Sequence, residues 1–326
     1  MGLGPDSCRL IVDKVFSTRV PDDAGPEMVP GPRPHWLIRA LVRSAGHLGE
    51  DGFVRLTSWL APMINWPRRQ RRLANLELLS RGMGWSSERR REIHSLHLRY
   101  LTRMNGQIFH AASVPVEELL DSISVTGLEG VAQALQNRQG VMVVGAHLGT
   151  FFHAPSLLAA RGFKVTGILN SQIPDRLLAF FDGQSRRFGI RIAYVGDHAF
   201  DTAKAALQRG GVVYTSFDRT LLTDRNVWMP LAGAEIPLNP GTAILALRQR
   251  PALFWAESHH DEGGRPHLHF TKSPPMGRGT SFDSIESLLK YWCSQLEGYL
   301  RRHPEQWWAL GLCPLRKPAT TDSPIS

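Results

Sequence analysis

From Ser122 onward the chain alternates short apolar, strand-like runs with helical ones, and no other feature limits its fold so sharply. The strand-like runs are Ile123 to Thr126, Val141 to Gly145, Val165 to Leu169, Ile190 to Val195 and Val212 to Phe217. Between them lie helical runs at Leu128 to Asn137, Phe152 to Arg161, Asp175 to Phe188 and Phe200 to Arg209. Strands separated by a helix-length connection pair in parallel through right-handed crossovers, so the pattern predicts an α/β fold: a mainly parallel central sheet flanked by helices. Further on, Ala252 to Ser258 and His267 to Lys272 flank the turn Asp261-Glu262-Gly263-Gly264-Arg265-Pro266. They read as an antiparallel hairpin, expected at the edge of the sheet, and a helix over Ser281 to Arg302 closes the domain.

Upstream, Pro34 to Ala112 reads as all-helical, with Ser86-Ser87-Glu88 offering an N-cap before a helix over Arg89 to Gly106. The expected division is a flexible tail over 1–33, a helical N-terminal region over 34–121, an α/β domain over 122–312 and a second tail over 313–326. The first thirty residues lack the basic start and apolar core of a secretion signal. Arg39, Arg43, Glu50, Asp51 and Arg55 interrupt the apolar stretch Trp36 to Leu60, so it is not expected to span a bilayer. Trp36, Leu37, Ala40, Leu41, Phe53, Leu56, Trp59, Leu60 and Met63 nevertheless recur at helical spacing, with arginines between and after them. That pattern suits either an interface with anionic lipid or helices that cover the sheet. A net charge of +9 favours an anionic surface or substrate without selecting one. The basic residues gather around Arg68 to Arg91 with no nucleic-acid-binding motif, so nucleic acid is not the expected partner. The three cysteines, Cys8, Cys293 and Cys313, have neither metal-ligand spacing nor an even-numbered framework.

The chemistry-bearing feature is His147, delivered from the end of the run Val141 to Gly145 into a turn that contains Gly149. Open α/β sheets carry their reacting groups at the carboxyl ends of strands, which makes His147 the candidate general base. The alternative is a hydrogen-bonded structural histidine. There is no nucleophile-elbow serine and no glycine-rich nucleotide loop, so no cofactor is expected. His259-His260-Asp261 and His267-x-His269 offer no organised third ligand, and no metal is expected there.

The stretch Gly140 to Thr150 resembles the motif region of the bacterial lipid A late acyltransferases, in which a strand leads to His-x4-Glu or His-x4-Asp. Arg186-Arg187-Phe188-Gly189, Ala203 to Gly211, Asp218, Met229 to Gly233 and Gly241 to Ala246 follow in the family's order. The ending His303-Pro304-Glu305-Gln306-Trp307-Trp308 is similar to the family's closing signature. The resemblance extends from about Trp66 to Trp308 and implies a glycerolipid acyltransferase-like fold. It also implies acyl transfer from acyl carrier protein or coenzyme A to a hydroxyl or amine of a lipid, glycolipid or specialised metabolite. The acidic position of the motif falls here on Phe152, which carries no charge. In the family that carboxylate orients the imidazole and stabilises the imidazolium. Three readings follow: another residue supplies the acid, His147 works unaided, or the chain is a non-catalytic lipid-binding or scaffolding relative. His153, by nearness in sequence, and Asp218, at the end of a second core strand, are the candidate substitutes. Gly149, Thr150, Arg186, Arg187 and Arg219 are the candidate substrate-binding residues, Arg186 or Arg187 as a bidentate partner for a phosphate or a thioester carrier. Members usually begin with a spanning helix, so the resemblance implies one without it, peripheral on the cytoplasmic face of the bacterial inner membrane or cytoplasmic.

Overall fold

The structure, a computed structural model, describes residues 36–58, 68–169, 175–196, 198–219, 223–276, 279 and 282–318. Three long helices come first: α1 (Trp36–Ser58), α2 (Arg69–Met83) and α3 (Ser87–Ala111), followed by the short α4 (Val116–Asp121). Gly49, at φ +67°, lies outside helical geometry and kinks α1. The Ser86 side chain accepts from Arg89 N–H at 3.1 Å and starts α3 as expected of an N-cap. Then come β1 (Ser124–Thr126), α5 (Leu128–Gln136), β2 (Val141–Gly145), α6 (His153–Ala160), β3 (Val165–Leu169), α7 (Asp175–Arg187), β4 (Arg191–Tyr194), α8 (Ala199–Gln208) and β5 (Val212–Ser216). The strand and helix alternation read from the sequence is therefore the fold. After it lie β6 (Val227–Leu231), β7 (Ala234–Leu238), α9 (Gly241–Gln249), β8 (Ala252–His260), β9 (Pro266–Lys272) and α10 (Ile285–Arg302).

Seven strands form one sheet in the order β1-β9-β8-β2-β5-β3-β4. Every neighbouring pair is parallel except β8 and β9. The hairpin of β8 and β9 is antiparallel as expected, but it is not at the edge. β8 pairs with β2 and β9 with β1, so among the described residues β1 and β4 are the outer strands. The near-continuous burial of Leu253 to Ala256 is the physical reason, since a strand covered on both faces belongs inside the sheet. β6 and β7 form a separate two-stranded sheet that the sequence reading did not include.

The central strands alternate their side chains between two apolar layers. Met142, Val144, Val213, Leu253 and Trp255 face one layer with α8, α9 and α10; Val141, Val143, Val212, Tyr214 and Phe254 face the other with α5 and α6. Leu76, Leu79 and Ile93 of α2 and α3 belong to the first layer, so these helices pack on the sheet instead of forming a separate body. The tail expected from 313 is also held. Cys313 is buried, and Arg316 pairs with Glu235 by backbone and by an ion pair at 2.7 Å. Phe53, expected on a lipid-facing side, is buried in edge contact with Phe109 of α3. Trp59, Leu60, Met63 and the tail over 1–33 lie outside the described residues. No described helix is long and apolar enough to cross a membrane.

Candidate active site

β2 and β5 are parallel neighbours in a register that sets Gly145 opposite Ser216. Two residues further along each strand stand His147 and Asp218. Phe217 N–H donates to the carbonyl of Gly145 at 3.0 Å, which carries the pairing past the strand ends. The imidazole and the carboxylate thereby meet at the carboxyl edge of the sheet. His147 Nδ1 lies 2.7 Å from Asp218 Oδ1, and the His147 amide donates to both carboxylate oxygens at 3.1 Å. Trp307 Nε1 donates to Asp218 Oδ2 at 2.8 Å.

Asp218 is wholly buried. Burial pushes its pKa up, but the charge of His147 and the hydrogen bonds from His147 and Trp307 outweigh burial and hold the carboxyl below its ordinary range. A carboxylate only accepts, so Nδ1 of His147 carries a hydrogen, and in the neutral imidazole the lone pair is then on Nε2. The imidazole is 14% exposed, which leaves it an approach for a reacting partner.

The turn that carries His147 is fixed at each successive carbonyl. His147 O accepts from Trp308 N–H at 2.8 Å, Leu148 O from Ser258 Oγ at 2.7 Å, and Gly149 O from Tyr100 OH at 2.8 Å. Thr150 O accepts from His153 N–H at 2.8 Å and Phe151 O from Tyr214 OH at 3.1 Å. Five carbonyls thus draw their donors from α3, α6, β5, β8 and the segment after α10, so a shift of His147 disturbs all of these elements at once. Gly149 has φ +49°, and a Cβ there would stand 2.3 Å from Ser258 O, so no other residue fits. Around the imidazole are aromatic rings: Phe151 edge-on at 4.6 Å and Trp308 stacked at 5.2 Å.

The candidate residues read from the sequence separate clearly. His147 and Asp218 come together. His153 does not join them: it is buried, its ring lies against Phe152 at 4.3 Å, and neither ring nitrogen has a hydrogen-bond partner among the described residues. Burial, with the nearby His260, pushes its pKa down to about 3, so it is no substitute for an acid. Gly149 shapes the turn, and its own N–H is spent on Gln306 O at 2.9 Å. Thr150 is wholly buried, so its hydroxyl does not face a substrate. Arg186 pairs with Asp182 on its own helix, and Arg187 donates to the carbonyls of Ala111, at 2.7 Å, and Val114. Arg187 thereby ties α7 to the end of α3 and the turn after it. Arg219 lies over the Trp308 ring at 5.4 Å, beside the site.

Residues absent from the sequence reading complete the support. Trp307 holds the carboxylate, and Tyr100, Tyr214 and Ser258 hold the turn. The bracket between Gln306 and the backbone of His260, with bonds at 2.7 and 3.1 Å, fixes the segment that presents both tryptophans. Among the described residues no set of three His, Cys, Asp or Glu side chains converges as a metal site. His267 and His269 have Asp261 and Thr126 as partners, at 3.1 and 2.6 Å.

A family model for bacterial lipid A biosynthesis acyltransferases matches residues 29–311. The chain belongs to this family. No curated protein matches the chain at a significant level. The match runs through the helices, the sheet and the closing segment with Trp307 and Trp308, so it includes every side chain of the site described above. Within this acyltransferase family the chain departs at the acid of the His-x4-acid motif. Its Phe152 has no ring contact with His147; that contact falls to Phe151.

Proposed function

We propose that this member transfers an acyl group from a thioester donor, acyl carrier protein or coenzyme A, to a hydroxyl or amine of a lipid or glycolipid. The observation that carries this reading is the 2.7 Å contact of His147 Nδ1 with Asp218, which leaves Nε2 free to accept a proton. His147 Nε2 takes the proton of the acceptor as its oxygen or nitrogen attacks the thioester carbonyl. The C–S bond then breaks, and the imidazolium returns the proton to the leaving thiolate. Asp218 stays ionised throughout, fixing the tautomer and offsetting the charge on the ring. The developing oxyanion is received by the amides that follow Gly149, at the N-terminal end of α6. Phe151, Phe152, Tyr100, Met104 and Trp308 supply an apolar wall beside the imidazole, a suitable surface for an acyl chain.

The protein is proposed to work at the cytoplasmic face of the bacterial inner membrane as a peripheral enzyme. Leu48 and Leu56 of α1 are about half exposed, at 48% and 52%, with Arg39, Arg43 and Arg55 exposed on the same helix. A lipid-binding relative without chemistry is the alternative that Phe152 favours; the contact of Asp218 with the imidazole supports the enzyme. The test is His147→Ala assayed with acyl carrier protein and coenzyme A thioesters against lipid and amine acceptors. Transfer is expected to fall to background, with unfolding free energy lower by about 1–3 kcal/mol because buried Asp218 loses the ring as a partner while the backbone N–H and Trp307 still hold it. Equal turnover by variant and parent refutes the assignment.

A further inference from the structure

Arg219 directly follows Asp218, and its guanidinium covers the same indole, Trp308, that stacks on His147. It is therefore one aromatic ring away from the reacting imidazole. The start of α2 brings three more arginines to this place, where the chain turns at Trp308–Gly311. A Cβ on Gly311 would meet Arg72 Cγ at 2.8 Å and Arg68 Cβ at 3.4 Å, and Arg71 donates to Leu312 O at 3.3 Å. The charge of Arg68 acts on both Arg72 and Arg219, and those of Arg71 and Arg219 act on Cys313, whose thiol donates to the backbone of Asp218 at 2.6 Å.

Like charges gathered in a partly buried place repel, and burial adds a desolvation cost. The carboxylate beside Arg219 is Asp218, whose oxygens are already engaged by His147 and Trp307. Among the described residues neither Arg68 nor Arg219 forms an ion pair, whereas Arg186, Arg301, Arg302 and Arg316 each have a carboxylate. Guanidinium groups without an acid of their own, at the rim of a reacting centre, suit a phosphate, whose two or three non-esterified oxygens can meet several forks at once.

We propose that Arg68 and Arg219, with Arg71 at the edge, bind a phosphate group of a substrate and hold it across the Trp308 ring from His147. The proposal rests on the acyl-transfer reading of His147 and names one chemical feature of what that site takes. Two sources share the chemistry: the phosphodiester of the pantetheine arm of the donor, and a phosphate on the lipid acceptor.

The test is calorimetric titration of the full chain with inorganic pyrophosphate at low ionic strength. The parent is expected to bind, Arg68→Gln and Arg219→Gln each to bind about tenfold more weakly, and the double variant about a hundredfold. Arg301→Gln, which removes an exposed ion-paired arginine of α10, is expected to bind like the parent and reports on nonspecific attraction. No binding by the parent, or equal binding by the parent and Arg68→Gln, overturns the proposal. Arg68 is exposed, so its variant decides the matter even where Arg219→Gln fails to fold. His147→Ala is expected to keep pyrophosphate binding, which separates failure of this site from failure of the acyl-transfer reading. The source follows from two competitions: 4'-phosphopantetheine against pantetheine, and a phosphorylated lipid against its dephosphorylated form.

Discussion

Asp218→Asn keeps the shape of the buried side chain and removes its charge. The carboxylate now accepts from His147 N–H, from His147 Nδ1 at 2.7 Å and from Trp307 Nε1 at 2.8 Å. A carboxamide has one accepting oxygen and one donating nitrogen, so it cannot satisfy all of these donors. With its oxygen toward Trp307, the amide NH2 faces Nδ1 and drives the imidazole hydrogen to Nε2, the nitrogen that must accept a proton. With its oxygen toward His147, the NH2 opposes the indole N–H of Trp307, which is wholly buried, at a cost of about 1–3 kcal/mol. The first arrangement lowers kcat by about 10³ to 10⁴, or roughly 4–5.5 kcal/mol of barrier. Stability falls by about 2–4 kcal/mol in either case, as charge-assisted bonds to a buried carboxylate are lost. The assay is steady-state acyl transfer from a thioester donor beside a melt followed by circular dichroism. A folded Asp218→Asn protein with kcat within threefold of the parent would show that the carboxylate does not orient the base.

Phe152→Glu places a charge among Phe151, His153 and the apolar layers that Phe152 touches, so it is expected to destabilise by about 2–3 kcal/mol without any gain in rate; faster transfer would return the acid to that position. Burial depresses His97 and His153 to about 3 and His260 to about 4, so below pH 6.5 the unfolded chain binds protons that the folded one refuses. Unfolding free energy is then expected to fall by about 1.4 kcal/mol per pH unit for each of these histidines as pH drops from 6.5 toward 4, and His153→Leu to make the fall shallower by one such share; a flat profile in denaturant titrations from pH 7 to 5 refutes this. Anionic vesicles are expected to sediment the protein at low salt, with partial loss on adding salt and with weaker binding for Leu48→Asp with Leu56→Asp; a parent that stays in the supernatant removes the membrane assignment.

The central strands were legible because Val141 to Gly145 and Val165 to Leu169 are apolar runs bounded by turn residues, and both strands occupy those residues. Lateral order was not. Nothing in the residues of β8 and β9 says that β1 covers one side and β2 the other, because pairing partners lie far apart in the chain. β6 and β7 escaped notice because Pro230 and Pro237 interrupt strand-like runs, and proline reads against a strand unless its missing donor faces outward. Arg187 looked like a phosphate ligand because sequence shows a guanidinium but not the carbonyls of Ala111 and Val114 that take it. The dyad was half legible. His147 and Asp218 each stand two residues beyond a strand, yet their meeting depends on the adjacency and register of β2 and β5, which the intervening β3 and β4 conceal.

The position of the acid has a physical consequence for the site. An acid at 152 would begin a helix on the same chain segment as the base and would sit against the aromatic wall formed with Phe151, Tyr100, Met104 and Trp308. A carboxylate there carries the desolvation cost of an apolar neighbourhood with few donors to offset it. Asp218 instead meets four hydrogen bonds from three groups at the carboxyl edge of the sheet. Position 152 is apolar and joins Phe151, Tyr100, Met104 and Trp308, while the charge of Asp218 rests on His147 Nδ1. A fatty acyl thioester needs both conditions at once: an apolar face for the chain and a fixed negative charge one ring width from the proton in transfer. In the proposed transfer Phe152 lines the acyl side and Asp218 holds the base, so substituting either one alone is expected to damage what the pair provides.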